Sequence, residues 1–382
     1  MICTEPHQQP AVMMMGTDPQ GAGGIASVLN AYALAGLFDH PQSTVTCVTT
    51  HREGARWRIV LVWLKAMLAL VIARTRGQAT IVHAHSASRG SFLRKSILLW
   101  MARKLGSQTV FHLHGGGFQA FVEQQTGPLG RRWVKHTLSH VSLILTLSER
   151  WRDYIRTIAP QTRVEILPNP VALEVSPPRE PEPGRILFLG RLDPRKGVYD
   201  LVDAIAAIGV AQLEGRLGSL PTLRLVVGGD GDGRALADYA ARAGVGAQLE
   251  LLGWIGPDER ARQLTRAASF VLPSHHEGLP MSMLEAMAAR VPIIVSSVGG
   301  IPDLVTHGVH GLIVPPGDVK ALSDAISTLI ANPELQETLA SAARTRIRSE
   351  CATDLVMSRL RLLWQTLNAE ASPNPIVKKV PT

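Results

Sequence analysis

The sequence predicts an α/β protein of two domains, each a parallel sheet with crossover helices. Three observations carry that prediction. Short, apolar, β-rich runs alternate with helical stretches along the 382-residue chain. A unit of strand, Gly-rich loop and helix occurs twice, once over Ala11–Leu37 and again from Arg185. Between the two lies Val171–Gly184, VALEVSPPREPEPG, whose prolines forbid helix and central strand, so it reads as a linker. The length agrees, because single cores stop growing near ~250–300 residues.

Taken in order, the apolar run Ala11–Met15 is a strand, Gly16–Gly24 a Gly-rich loop, and Ile25–Leu37 a helix. The stretch Trp57–Arg76 is apolar almost all round but interrupted by Lys65. Its unbroken apolar length falls short of the ~18–20 residues a membrane span needs, so it is either a helix against the sheet or one lying in a bilayer surface. Strands are expected at Thr80–Ala84, Thr109–Leu113, Leu143–Leu147 and Val164–Leu167. The second unit begins with the strand Ile186–Leu189, the loop Gly190–Gly197 and the helix Val198–Ile208. Strands at Leu223–Val227, Leu249–Leu252, Phe270–Leu272 and Ile293–Val295 complete it. The domains expected are 1–170, a linker at 171–184, 185–355, and a C-terminal helix and tail at 356–382.

Composition narrows the function classes. With 46% hydrophobic and 18% charged residues the chain is neither disordered nor fibrous. Three scattered cysteines, Cys3, Cys47 and Cys351, form no CxxC, which points to a reduced, cytoplasmic protein without a cysteine metal site. The first residues hold no basic region followed by an apolar stretch, so no secretory signal is expected. The net charge of +8 is uneven: residues 1–170 hold 18 Lys/Arg against 8 Asp/Glu, the rest 21 against 23. One domain is therefore expected to face a polyanion. No nucleic-acid motif or aromatic-basic platform is present, so an anionic membrane surface is the expected partner.

Chemistry concentrates in loops after strands, where open α/β sheets bind ligands. Glu277-Gly-Leu-Pro-Met-Ser-Met-Leu-Glu285 follows a strand and enters a helix near Pro280 or Met281. Free N–H groups at that helix start attract phosphate oxygens, and two carboxylates flanking them can grip hydroxyl groups on either side of a diphosphate. Gly190-Arg191-Leu-Asp-Pro-Arg-Lys196-Gly197 holds cations that can clamp a diphosphate and neutralise it as it leaves. The loop ending in Gly23 and Gly24 is a weaker sign, common to many nucleotide-binding folds. Two HxH pairs, His83/His85 and His112/His114, end adjacent strands. They could make a zinc site, but no acidic ligand accompanies them, and no metal is expected.

Together these elements resemble the retaining glycosyltransferases of family 4, of the bacterial polysaccharide-biosynthesis type, over the whole chain. The resemblance rests on the GG loop, the GRLDPRKG loop, the EGLPMSMLEAMA segment and the Ser297–Pro302 turn. It implies the GT-B architecture: two Rossmann-like domains facing each other across a donor-binding cleft, the first accepting the acceptor, with a C-terminal helix around Trp364 crossing back. It implies that Arg191 and Lys196 bind the diphosphate of a sugar nucleotide, that Glu285 accepts from the ribose hydroxyls, and that Glu277 holds the donor sugar. The backbone of Gly278, Leu279, Pro280 and Met281 would meet phosphate and sugar, while Gly23 and Gly24 allow close approach. It places a functional histidine at His114, assisting the transition state. Catalysis without cofactor or metal is implied as well, and no DxD-type pair is expected at a strand end. The activity expected is hexosyl transfer from a nucleoside-diphosphate sugar to a hydroxyl acceptor with retention. The acceptor expected is a glycan or polyprenyl-diphosphate-linked saccharide at the inner face of the cell membrane. A sugar-nucleotide 2-epimerase or a non-catalytic sugar-nucleotide-binding subunit are the alternatives, and the basic first half argues against the epimerase.

Overall fold

The computed structural model describes residues 10–21, 23–38, 44–52, 54–173, 178–218 and 220–371. Cys3, part of the expected linker and the tail beyond Ala371 lie outside them. The chain divides into two compact units, one comprising Met1–Thr146, Arg152–Leu167 and Val356–Thr382, the other Leu147–Trp151 and Pro168–Leu355.

The first unit runs β1 (Val12–Thr17), α1 (Gly24–Leu34), β2 (Val45–His51), α2 (Arg56–Thr75), β3 (Ile81–Ser86), α3 (Gly90–Lys104), β4 (Gln108–Leu113), α4 (Phe118–Gln124), α5 (Pro128–His140), β5 (Leu143–Thr146), α6 (Glu149–Ile158) and β6 (Val164–Ile166). Its sheet has the order β2-β1-β3-β4-β5-β6, and every pair is parallel. Strand β2 and, in the second unit, the three-residue β12 (Leu312–Val314) were not expected from the sequence. The β2 segment VTCVTTH lacks the long apolar run that marks the buried strands, and β12 is too short to give one. Strands β3 and β5, fully buried, and β4, buried from Thr109 onward, are the ones whose apolar runs stand out. Phe92, Phe111, Phe118 and Phe121 cluster between α3, β4 and α4 with centroids 5.8–6.3 Å apart, Phe92 meeting Phe111 edge to face and the other pairs tilted.

The second unit runs β7 (Arg185–Leu189), α7 (Val198–Leu213), β8 (Arg224–Gly228), α8 (Gly233–Arg242), β9 (Leu249–Gly253), α9 (Pro257–Arg266), β10 (Ser269–Leu272), α10 (Met281–Ala288), β11 (Ile293–Ser296), α11 (Ile301–Leu304), β12 (Leu312–Val314), α12 (Val319–Ala331) and α13 (Pro333–Glu350). Its parallel sheet has the order β12-β11-β10-β7-β8-β9. The last helix, α14 (Thr353–Ala371), belongs to the first unit from Val356 onward. There the Trp364 indole meets the His83 ring edge-on, with centroids 5.8 Å apart.

Where it is described, the Pro-rich stretch expected as a linker lies along the second unit. Glu180 and Glu182 donate their N–H groups to the carbonyls of Thr265 and Arg266, and Arg179 donates to the carbonyl of Arg290 at 2.6 Å. Prolines break regular pairing, yet the residues between them keep donors for these isolated bonds.

Helix α2 packs one face of Trp57–Arg76 within the first unit, as the first of the two readings expects, and leaves its other face exposed. Ala66, Leu70 and Ala73 are buried, whereas Trp57, Leu61, Leu64, Leu68 and Ile72 form an exposed stripe at helical spacing. No helix among the described residues is long and apolar enough to cross a membrane.

Candidate functional site

The expected donor motifs leave the carboxyl ends of β7 and β10. These strands are neighbours, and the strand order reverses between them, with β8 and β9 on one side and β11 and β12 on the other. Such a switch point leaves a crevice between diverging loops, which is where open α/β sheets hold ligands.

The loop after β7 is pinned from several directions. Gly190 N–H donates to the Gly228 carbonyl at 3.0 Å, and Leu192 N–H to that of Asp230 at 2.8 Å. Asp193 caps a short 3-10 turn over Pro194–Lys196, accepting from Arg195 N–H at 2.9 Å. Gly197 then takes φ +70°, and a Cβ there would stand 2.0 Å from the Pro273 carbonyl oxygen. Replacing Gly197 by Ala is therefore expected to destabilise the fold by about 2–4 kcal/mol, from left-handed strain plus a backbone clash. Thermal unfolding measures this, and an unchanged melting temperature would show that the loop is not held as described.

The loop after β10 meets this one directly. Lys196 Nζ donates to Glu277 Oε1 at 2.6 Å, and Ser274 Oγ donates to the same oxygen at 2.8 Å. Glu277 is buried, with 7% of its surface exposed, so its charge is matched by an ammonium and a hydroxyl and not by bulk water. The Ser297–Pro302 turn secures the backbone behind it. Gly300 N–H donates to the Gly278 carbonyl at 2.8 Å, and Gly299, at φ +57°, sits so close that a Cβ would be 1.9 Å from the Glu277 carbonyl oxygen. The buried Asn169 amide donates to the Leu279 carbonyl at 2.7 Å.

Helix α10 begins at Met281 with Pro280 as its N-cap, where the sequence places it. The N–H groups ahead of Leu284, whose own N–H bonds the Pro280 carbonyl, have no intrahelical acceptor and carry the positive end of the helix dipole. Glu285 lies one turn inside, its Oε1 2.5 Å from Arg260 Nη1 on α9. Burial pushes the Glu285 carboxyl above its ordinary value, and Arg260 pulls it back. An Arg260→Met variant should let that pKa climb further. The folded state would then hold the Glu285 proton more tightly than the unfolded chain, so its stability relative to wild type should fall as pH rises through and beyond the ordinary carboxylate range. Denaturant titrations across pH test this, and parallel profiles for the two proteins would refute the coupling.

Arg191 is half exposed and faces Asp230 at 3.5 Å. Asp230 and Asp232 correct one expectation, because Asp-Gly-Asp does follow the end of β8. Both carboxylates are engaged, however: Asp230 with Arg191, and Asp232 as the cap of α8, accepting from Ala235 N–H at 2.9 Å.

In the first unit Gly23, at φ +109°, is the N-cap of α1, and a Cβ on Gly23 or Gly24 would meet nothing within 4 Å, which leaves this helix start open to close approach. The two HxH pairs form one cluster. His83, His85 and His112 are fully buried, and His114, just past β4, is only partly so. His83 Nε2 lies 3.2 Å from His112 Nδ1, and His85 Nδ1 lies 2.8 Å from His114 Nε2. Burial pushes His83 down to about 3, and burial with neighbouring His and Lys95 charges holds His85 well below the usual histidine range. His83, His85 and His112 bring one nitrogen each within 4.8 Å of the others. The His83 and His85 rings are near parallel, at an interplanar angle of 3°.

The structure thus joins Lys196 to Glu277, gives Glu285 the partner Arg260, gives Arg191 the partner Asp230, and gives His114 the partner His85. Arg260, Ser274 and Asp230 escaped sequence reasoning. Ser274 lies just ahead of the Glu277 segment, whereas Arg260 lies on α9, far from it in sequence.

Comparison with known proteins agrees with this geometry. Residues 31–175 match the family model described as Glycosyltransferase Family 4, and residues 174–346 the one described as Glycosyl transferases group 1. A glycogen synthase of Mycobacterium tuberculosis is 31% identical over 169 residues, which is 44% of this chain and 39% of that protein. An alpha-D-kanosaminyltransferase of Streptomyces kanamyceticus is 27% identical over 238 residues, 58% of this chain and 59% of that protein. The chain thus spans well under two thirds of the length of these relatives. Among solved structures, sucrose-phosphate synthase from Thermosynechococcus elongatus superposes with a TM-score of 0.77 at 21% identity, covering 95% of this chain and all of that one. HepE from Anabaena, solved with UDP and glucose, gives 0.69 at 17% identity, covering 93% and 99%. The fold is that of the GT-B group, and with the two family models together matching residues 31–346, the chain belongs to glycosyltransferase family 4.

Proposed function

We propose that this protein transfers a hexosyl unit from a nucleoside-diphosphate sugar to a hydroxyl acceptor, with retention and without a metal ion. The observation that carries the proposal is the Lys196–Glu277 pair at the switch point, beside the start of α10. A diphosphate is a strong partner for Lys196, Arg191 and open helix N–H groups, and its arrival frees Glu277 to accept from sugar hydroxyls. Glu285 is placed one turn deeper, where a ribose diol is the fitting partner for a carboxylate. The backbone of Gly278–Met281 lines the same site, and Gly23, Gly24 and His114 are the first-unit residues we assign to donor-sugar binding. We assign no side chain the role of covalent nucleophile. The leaving diphosphate, neutralised by the two cations, takes the acceptor proton on the face it leaves.

UDP and glucose in the Anabaena relative make UDP-glucose the first donor to test. The experiment is a donor screen with UDP-, GDP- and ADP-sugars, reading nucleotide release with and without a hydroxyl acceptor. Release should survive EDTA. Strict dependence on Mg²⁺ or Mn²⁺, or conversion of the donor without any acceptor, would overturn the reading.

The acceptor proposed is a polyprenyl-diphosphate-linked saccharide on the cytoplasmic face of a membrane. What supports it is the exposed stripe of α2 together with Leu93 and Trp100 on α3 and Leu129 on α5. The basic residues Arg58, Lys65, Lys104, Arg131, Arg132 and Lys135 stand exposed on the same three helices. Lys95, basic in the sequence of this region, is fully buried and contributes nothing to such a surface.

A further inference from the structure

We infer that His85 is a positioning residue for His114: it fixes the His114 tautomer so that this ring carries its proton on Nδ1 and serves as a hydrogen-bond donor, not a base. The consequence for catalysis rests on the proposed role of His114, but the tautomer itself does not.

The two rings meet through His85 Nδ1 and His114 Nε2 at 2.8 Å, and one of these nitrogens must carry the shared proton. The contact is built into the sheet. His85 and His112 are paired residues of β3 and β4, and the ladder is extended by His114 N–H donating to the Ser86 carbonyl at 2.8 Å. The His85 and His114 rings lie with centroids 4.9 Å apart, on the face where Tyr32 and Trp364 close the cluster.

His85 is held neutral. It is fully buried, and burial is the largest of the effects that disfavour a second proton, with the nearby Lys95 adding to it. A neutral imidazole has a single N–H. His85 Nε2 has no hydrogen-bond partner among the described residues. Were the proton there, a buried N–H would go unsatisfied and Nδ1 would have to accept. With the proton on Nδ1, the bond to His114 is made and only a lone pair stays unmatched. Orphaned buried N–H groups are rarer than under-used acceptors, so the second arrangement wins. His114 Nε2 is then the acceptor, and its own proton resides on Nδ1. A histidine in that state donates to a sugar oxygen; it does not remove a proton from the acceptor.

The test is long-range ¹H–¹⁵N correlation of the imidazoles in ¹⁵N-histidine-labelled full-length protein, with His85 and His114 assigned from single-site variants. The expected spectrum has His114 protonated on Nδ1 and His85 on Nδ1. Protonation of His114 on Nε2 in the wild type overturns the inference, whatever the variants do. His85→Leu should release the His114 tautomer and lower turnover by about 10²-fold with donor KM little changed. His85→Asn, whose amide N–H₂ occupies the place of Nδ1–H, should restore the His114 pattern and most of the turnover. Should the tautomer follow these substitutions while turnover does not, the positioning stands and the role proposed for His114 falls.

Discussion

Replacing Glu277 by Ala should lower turnover by about 10²-fold while leaving donor KM unchanged or lower. The reasoning starts from the ion pair. Glu277 Oε1 takes hydrogen bonds from Lys196 Nζ at 2.6 Å and Ser274 Oγ at 2.8 Å. In the proposed reaction the diphosphate recruits Lys196, and Glu277 turns its charge to the sugar. A charge-assisted hydrogen bond contributes about 1.5–3 kcal/mol, which corresponds to roughly 10- to 150-fold in rate when the bond is made only in the transition state. Binding moves the other way. In the resting protein the diphosphate must take Lys196 from Glu277, so removing the carboxylate removes a competitor. Nucleoside diphosphate alone should therefore bind Glu277→Ala about 3-fold more tightly, in keeping with the modest strength of a partly exposed pair. Lys196→Ala should show the opposite pattern, with weaker nucleotide binding as well as slower turnover. Because both residues serve one contact, the double variant should fall well short of the product of the single effects. Steady-state kinetics and calorimetry with UDP measure these quantities. Weaker nucleotide binding in Glu277→Ala, or strictly multiplicative losses, would show that the pair is a structural bridge and not a gate.

The fold was legible chiefly where its strands are buried on both faces. Runs such as Ile81–Ser86 and Ile293–Ser296 have every residue buried, and such strands announce themselves as continuous apolar segments. Strand β2, at the sheet edge and only partly buried, has no such run and left no mark. The site was legible where chemistry and backbone demands coincide in one short segment. Glu277, the Pro280 cap and Glu285 are local, and Gly197 and Gly299 are required by carbonyls that a Cβ would strike. What stayed hidden is pairing across sequence distance. Arg260 meets Glu285 from another helix, Asp230 meets Arg191 from another strand end, and His85 meets His114 across two paired strands. Nothing local distinguishes an arginine that holds a buried carboxylate from one that faces water. The partnership of the histidines was hidden for the converse reason: the repeated HxH showed four rings on two strand ends, but which nitrogen faces which depends on register and rotamer.

The exposed stripe of α2 should decide where the protein works. Trp57 and Leu68 are each 60% exposed, and Leu61 and Leu64 are 47% exposed. Side chains this apolar gain by leaving water, and the α2 backbone is already satisfied within the helix, so a headgroup region can receive the stripe without exposing polar groups. Arg58 stands over the Trp57 ring at 5.1 Å, which pairs an apolar anchor with a cation suited to an anionic lipid. Each basic residue near an anionic leaflet adds about 1 kcal/mol, so the exposed cations of α2, α3 and α5 suffice for reversible attachment. Vesicles of phosphatidylcholine should therefore fail to retain the protein, whereas vesicles containing phosphatidylglycerol should bind it, and binding should fade as salt shortens the screening length. A Leu61→Asp, Leu64→Asp, Leu68→Asp variant should lose at least about 100-fold in vesicle affinity, from lost apolar transfer and added repulsion. Its stability should stay close to wild type, since exposed positions rarely change it by more than about 0.5 kcal/mol. Its turnover on a water-soluble acceptor should be unchanged as well. That separation is what distinguishes a membrane face from a misfolded helix. Retention on neutral vesicles would reduce the role of the basic residues to chance, and absence of binding to anionic vesicles at low salt would make a soluble acceptor the better assignment.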